Sequence, residues 1–165
     1  MAKVALIMGS GSDFPALEPA IKTLKGFGIE VETRVFSAHR TPDEAADFAK
    51  KAEDAGFSAL ICAAGKAAAL PGAMAAHTVL PVIGVPVKAS TLDGLDALLS
   101  MVQMPAGIPV ATVAIDGAVN AALLAVSIIA LGDEGIRAKL KAHRQDMAQS
   151  ARKADQEVQA KAALV

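Results

Sequence analysis

Residues 37–40 read Ser-Ala-His-Arg, and they place a hydroxyl, an imidazole and a guanidinium within four positions. An imidazole titrates near neutrality and can pass a proton in either direction. A guanidinium can hold a phosphate through two parallel hydrogen bonds. Thr41-Pro42 then reads as a helix start, so the pair His39-Arg40 stands where a strand hands over to a helix. A surface His-Arg pair has no role by itself. At a strand exit the same pair reads as a site in which Ser37 and Arg40 hold a phosphate and His39 moves a proton. A second polar turn, MGSGSD, contains Gly9, Ser10, Gly11, Ser12 and Asp13. It begins like a dinucleotide fingerprint, but Phe14 stands where a third small residue is needed. Two readings stay open for this turn. One is a tight turn with serine caps. The other is a helix N-terminus whose free N–H groups take a single phosphate, with Asp13 capping the helix or accepting ribose hydroxyls.

The elements that position these turns follow from the apolar pattern. The strand candidates are VALIMG (4–9), VETRVF (31–36), ALICA (59–63), PVIGVPV (81–87) and PVATVAI (109–115). They read as continuous apolar runs, the mark of strands covered on both faces. Between them, 42–55 carries Ala45, Phe48, Ala49 and Ala52 at helical spacing, with Thr41, Pro42 and Glu44 as N-cap, first residue and capping-box partner. The stretch 13–27 has Asp13 as cap and Phe14, Leu17, Ile21 and Leu24 as its stripe. Pro19 inside it is expected to kink or delay the helix. Further helices are expected at about 71–78, 92–102 and 117–131, the last buried nearly all round. Strand–helix alternation through one domain implies a three-layer, doubly wound parallel α/β sheet of flavodoxin-like type with right-handed crossovers. Residues 1–132 form the parallel α/β domain in this reading and 133–165 its helical tail. That tail is charged, with apolar Ile136, Leu140, Met147, Ala151 and Val158 thinly spread. It is expected to pack on a neighbouring subunit; a solvated, frayed helix is the alternative.

Composition excludes several classes. The 165 residues carry a net charge of −1, so no basic surface invites nucleic acid. They are 53% hydrophobic but only 3% aromatic, so the core must be built from small aliphatic side chains. The longest apolar run, 118–131, is interrupted by Asn120 and Ser127 and is too short to cross a membrane. The start MAKVALIMG runs straight into a strand with no small-residue cleavage site, so no signal peptide is expected. A single cysteine, Cys62, fits a reducing cytoplasm, and inside a strand it reads as a small hydrophobe. No His, Cys and carboxylate spacing suggests a metal site. His77 and His143 read as framework or surface residues, and Asp116 sits at a strand exit near the polar turns.

Open parallel sheets bind ligands at the carboxyl ends of their strands. MGSGSD, SAHRTPD, AAGKAAALPG (63–72) and VPVKAS (85–90) all fall there. With those motifs in view, the chain resembles the PurE family, the enzymes of purine synthesis that handle the carboxy group of aminoimidazole ribonucleotide. MGSGSD, SAHRTPD, ALPG, LPVIGVPV, LDGLDALLSMVQMPAGIPVATVAI and NAALLA carry the resemblance nearly end to end. It implies a cytoplasmic homo-octamer that needs no metal or cofactor and acts on aminoimidazole ribonucleotide, its carboxylated forms and carbon dioxide. The reaction it implies is that of the mutase branch: 5-(carboxyamino)imidazole ribonucleotide becomes its 4-carboxy isomer. His39 matches the family's proton shuttle. Ser10, Ser12, Asp13, Ser37, Arg40, Gly65, Lys66, Ala67 and Leu70 fall at substrate-binding positions.

The loop at 63–69 departs from the pattern. Bacterial mutases usually read AGAGGAAHLPG there, where this chain has Ala63, Lys66 and Ala69 in place of Gly, Gly and His. Lys88 replaces the usual Gln or Glu, and AIDGAVNA is two residues shorter than the common loop. The animal-type carboxylases carry AGxSNG instead, which this loop does not match either. A decarboxylase or carboxylase variant is therefore the alternative to the mutase, and a non-catalytic nucleotide-binding protein the next.

Overall fold

The computed structural model describes residues 2–164; Met1 and Val165, the outer limits of the two expected segments, lie outside the described residues. Five strands form one parallel sheet: β1 (Lys3–Met8), β2 (Glu30–Val35), β3 (Phe57–Gly65), β4 (Val82–Val87) and β5 (Ala111–Thr112), in the order β2-β1-β3-β4-β5. This is the doubly wound, flavodoxin-like order. The chain leaves β1 toward β2 on one side and returns to β3 on the other, which opens a switch point between the carboxyl ends of β1 and β3.

The helices are α1 (Phe14–Gly26), α2 (Pro42–Lys51), α3 (Leu70–Ala75), α4 (Leu95–Val102), α5 (Ala118–Ile129) and α6 (Glu134–Ala162). Period-two alternation sends Ala5, Ile7, Leu60, Cys62 and Val82 to one face of the sheet. There they join Ala45 and Ala49 of α2, Leu70 and Met74 of α3, and Ala97 and Met101 of α4 in one buried cluster. Val4, Leu6, Met8, Ile61 and Ile83 fall on the opposite face and are also buried, as are Leu17, Ala20 and Leu24 of α1. The small aliphatic core expected from the composition is this double layer. In α5 no residue from Ala121 to Ile129 is exposed.

Several local expectations are corrected. β2 is an edge strand, mostly exposed, with Val35 at 54%; its sequence EVETRV alternates charge with apolar residues, and the edge position explains why. The ladder of β5 is two residues long, not seven. A regular parallel ladder would have residue 86 donate its N–H to Val113 O, and Pro86 has none to give. The pairing therefore continues irregularly, with Val113 N donating to Gly84 O (3.0 Å) and Asp116 N to Pro86 O (2.8 Å). α1 runs unbroken through Pro19. Phe14, expected in its buried stripe, is 43% exposed.

Contacts divide the chain into two compact units at Val126/Ser127. In the second unit, α6 is a single 29-residue helix. Asp133 caps it, its Oδ1 accepting from Ile136 N at 2.9 Å, and Arg137 donates to the carbonyls of Ala130 (2.8 Å) and Leu131 (2.7 Å). Met147, Ala151 and Val158 are exposed along it. Among the described residues no helix is long and apolar enough to cross a membrane.

Candidate active site

The turn after β2 is tied by its own hydroxyls. Thr41 N donates to Ser37 O at 2.8 Å, and Ser37 N donates to Thr41 Oγ1 at 2.9 Å. Arg40 N donates to Ser37 Oγ at 3.2 Å. With both ends of the turn clamped, Ala38 and His39 stand at its apex, and His39 is exposed. The capping box expected from Thr41 and Glu44 does not form, because the Thr41 hydroxyl and N–H are both engaged with Ser37. The Arg40 guanidinium reaches across to the β1 exit, with Nη2 3.5 Å from Gly9 O and Nε 3.4 Å from Ser37 Oγ.

The turn after β1 is a 3-10 turn, Gly11–Asp13, leading into α1. Ser10 caps it, its Oγ accepting from Ser12 N (3.3 Å) and from Ser12 Oγ (2.8 Å). Asp13 precedes α1 but makes no side-chain cap; its carboxylate accepts instead from Ser12 Oγ at 3.4 Å. Burial raises the Asp13 carboxyl above its ordinary value, and hydrogen bonds with the Ser12 side chain and the Ser10 backbone offset part of the rise.

The exits of β3 and β4 close the other side. A Cβ on Gly65 would lie 3.2 Å from Val87 O, so any larger residue would need these two strand ends to shift by a few tenths of an ångström. Lys66 follows with φ of +54°, a left-handed conformation that disfavours a side chain. Ala69 N donates to Ala67 O at 2.8 Å and tightens the loop before α3. Lys88 N donates to Asp116 Oδ1 at 2.9 Å, and Lys88 Nζ lies 3.3 Å from Asp93 Oδ1.

These turns line one cavity of about 800 Å³ at the carboxyl edge of the sheet, over the β1/β3 switch point. His39 and all nine expected binding residues, Ser10, Ser12, Asp13, Ser37, Arg40, Gly65, Lys66, Ala67 and Leu70, lie on its wall. The site expectations missed Pro15 and Ala16 of the first turn of α1, and named Val87, Ala89 and Ser90 only as part of the β4 exit, not as binding residues. The strand-exit rule had already brought VPVKAS (85–90) to this edge, and Lys88 lines the cavity with them. Asp116 lines the cavity as well. His77 is exposed and not on this wall, His143 lies in the second unit, and Cys62 is fully buried, its thiol pushed well above the ordinary range by desolvation. Among the described residues no three His, Cys, Asp or Glu side chains gather as metal ligands.

The wall gathers a guanidinium, an imidazole, serine hydroxyls, two carboxylates and two ammonium groups at the carboxyl edge of a flavodoxin-like sheet. Comparison with known proteins narrows the class. The AIR carboxylase family matches residues 3–150, and the chain belongs to that family. It is 54% identical over 147 residues to N5-carboxyaminoimidazole ribonucleotide mutase of Pyrococcus abyssi, covering 89% of this chain and 84% of the relative. It is 52% identical over 157 residues to the mutase of the same name from Mycobacterium leprae, covering 95% and 92%. The crystal structure of Treponema denticola PurE superposes with a TM-score of 0.87 at 32% identity, covering 95% of this chain and 98% of that one.

Proposed function

We propose that this chain is a cytoplasmic enzyme of purine synthesis that interconverts N5-carboxyaminoimidazole ribonucleotide and its 4-carboxy isomer. The observation that carries the reading is the gathering of His39, Arg40, the Ser10–Asp13 turn and the 65–70 loop on one cavity. Relatives bearing the mutase name, 52–54% identical, support it.

The chemistry asks little of the protein. Protonation of the carbamate nitrogen breaks the N–C bond and releases carbon dioxide and aminoimidazole ribonucleotide. The freed aminoimidazole is an enamine, and its ring carbon C4 attacks the retained carbon dioxide to form the new C–C bond. Loss of the C4 proton restores aromaticity. His39 donates the first proton and takes back the second, so no proton is consumed. The cavity keeps carbon dioxide near C4 between the two half-reactions. Ser10, Ser12, Ser37 and Arg40 hold the phosphate, Asp13 accepts from the ribose hydroxyls, and Gly65, Lys66, Ala67 and Leu70 face the ring.

The loop at 63–69 favours a second reading, a carboxylase or decarboxylase of the 4-carboxy ribonucleotide. Its Lys66 and Ala69 change the charge and volume where carbon dioxide would be held. Incubating the protein with each isomeric carboxylate and following ultraviolet absorbance and product identity separates these. Interconversion of the two supports the mutase; loss of carbon dioxide from the 4-carboxy isomer alone supports the lyase; no change with either leaves a nucleotide binder.

The working form is a homo-octamer in this reading. Leu95, Leu99 and Val102 make an exposed apolar stripe at helical spacing on α4, from 47% to 51% exposed, which fits burial against another copy.

A further inference from the structure

We infer that Lys66 is the cation that binds the migrating carboxylate, so that this enzyme holds its carboxylated ribonucleotides more tightly than aminoimidazole ribonucleotide itself. The inference rests on the carboxy-transfer reading and goes beyond it by assigning the two ends of the cavity. Adjacent strands lie about 4.8 Å apart, so the β3 exit is roughly 10 Å and the β4 exit roughly 14 Å from the β2 exit. A 5′-ribonucleotide with its phosphate at Arg40 and the Ser10–Asp13 turn spans a comparable distance and lays its ring substituents under β3 and β4.

That end is also where the backbone is strained. The non-glycine residues with positive φ are Lys66 (54°), Leu92 (52°), Asp93 (50°) and Asp116 (55°) among the described residues. Lys66 and Asp116 line the cavity, and Asp93 pairs with Lys88, which lines it too. Such conformations persist where the surroundings enforce them and concentrate at functional sites.

Two lysines face this end, and they are not equivalent. Lys88 is compensated, its ammonium 3.3 Å from Asp93 Oδ1 and its N–H held by Asp116 Oδ1. The Lys66 ammonium makes no hydrogen bond or ion pair among the described residues, and the residue is exposed on the cavity wall. Its neighbours are Gly65, where a Cβ would come 3.2 Å from Val87 O, and the turn closed by Ala69 N donating to Ala67 O at 2.8 Å. Packing therefore gains nothing from a lysine there, while the left-handed backbone would suit glycine better. What the lysine adds is an uncompensated positive charge where the carboxylate arrives and leaves.

The test uses the whole protein and three variants. Lys66→Met removes the charge at the same backbone cost, Lys66→Gly removes charge and strain together, and Lys66→Arg keeps the charge. Calorimetric titration compares the 4-carboxy ribonucleotide with aminoimidazole ribonucleotide, which lacks the carboxylate. Wild type should prefer the carboxylated ligand by about tenfold, the scale of one charge-assisted hydrogen bond. Met and Gly variants should lose that preference while binding aminoimidazole ribonucleotide within about twofold of wild type, and Arg should retain most of it. The inference is overturned if Lys66→Met keeps the full preference, or if it loses both ligands equally. Wild type that binds neither ribonucleotide overturns the carboxy-transfer reading as well; wild type that turns over both isomers, with the Met variant's preference unchanged, overturns Lys66 alone.

Discussion

Replacing Arg40 by alanine should separate folding from phosphate binding. In the free protein its side-chain hydrogen bonds are long, 3.4 Å to Ser37 Oγ and 3.5 Å to Gly9 O, and the residue is exposed. Bonds at that limit contribute little, so Arg40→Ala should change folding stability by only about 0.5 kcal/mol or less. Bound to phosphate, the same guanidinium makes charge-assisted, bidentate bonds worth about 1.5–3 kcal/mol. Their loss predicts a fall of about 10- to 150-fold in ribonucleotide affinity. Arg40→Lys keeps the charge without the planar fork and should fall between. The assay is calorimetric titration with aminoimidazole ribonucleotide and with the matching ribonucleoside, beside a urea melt. The ribonucleoside, lacking phosphate, should bind wild type and variant alike. Unchanged ribonucleotide affinity, or an equal loss for the ribonucleoside, would refute the placement of phosphate at Arg40.

Three further outcomes follow from particular contacts. Lys3 first, then Arg34, hold the Glu32 carboxyl below its ordinary value of 4.5, with Lys3 Nζ 2.8 Å from Oε2 and Arg34 Nη2 2.7 Å from Oε1. A lowered folded pKa gives stability that is present above 4.5 and is lost as pH falls through the folded value; urea midpoints of Glu32→Gln should therefore lack part of the wild-type decline on the acid side, and identical acid limbs would count against the pairing. Gly65→Ala drives a Cβ to 3.2 Å from Val87 O and should cost about 1–3 kcal/mol, whereas Gly11→Ala, which meets nothing within 4 Å, should stay within about 0.5 kcal/mol; equal melts for the two would contradict the close approach of β3 and β4. Leu95→Lys with Leu99→Lys should shrink the assembly seen by light scattering at micromolar concentration, and a wild-type monomer would remove the octamer.

The parts legible in the sequence were those with one physical cause. Continuous apolar runs marked β1, β3 and β4, because strands buried on both faces admit little else. The strand-exit rule then gathered His39, Arg40 and the 65–70 loop at one edge without any coordinates. β2 misled because its run IEVETRVF was read for its apolar residues, while its edge position depends on the topology and not on the residues themselves. β5 misled because its ladder is ended by Pro86, a residue on another strand. The caps misled for a similar reason. Thr41 had the right type and position, but Ser37 competed for the same hydroxyl, and Asp13 holds the cap position of α1 without a side-chain bond, its carboxylate taken by Ser12. The positive φ at Lys66 was hinted at only by its standing where bacterial mutases usually have Gly, since composition and periodicity carry no backbone angle.

The central claim is that His39 moves the proton in this cavity, and His39→Asn tests it most directly. Asparagine keeps a hydrogen-bonding side chain but cannot titrate. His39 is exposed at the apex of a turn whose ends are held by Ser37 and Thr41, so the substitution should leave the fold and ribonucleotide affinity in place. Turnover, followed by ultraviolet absorbance under saturating N5-carboxyaminoimidazole ribonucleotide and under its 4-carboxy isomer, should fall by about 10²–10⁴-fold in both directions. Turnover at the wild-type rate, with affinity unchanged, would show that the proton travels by another group and would contradict the account.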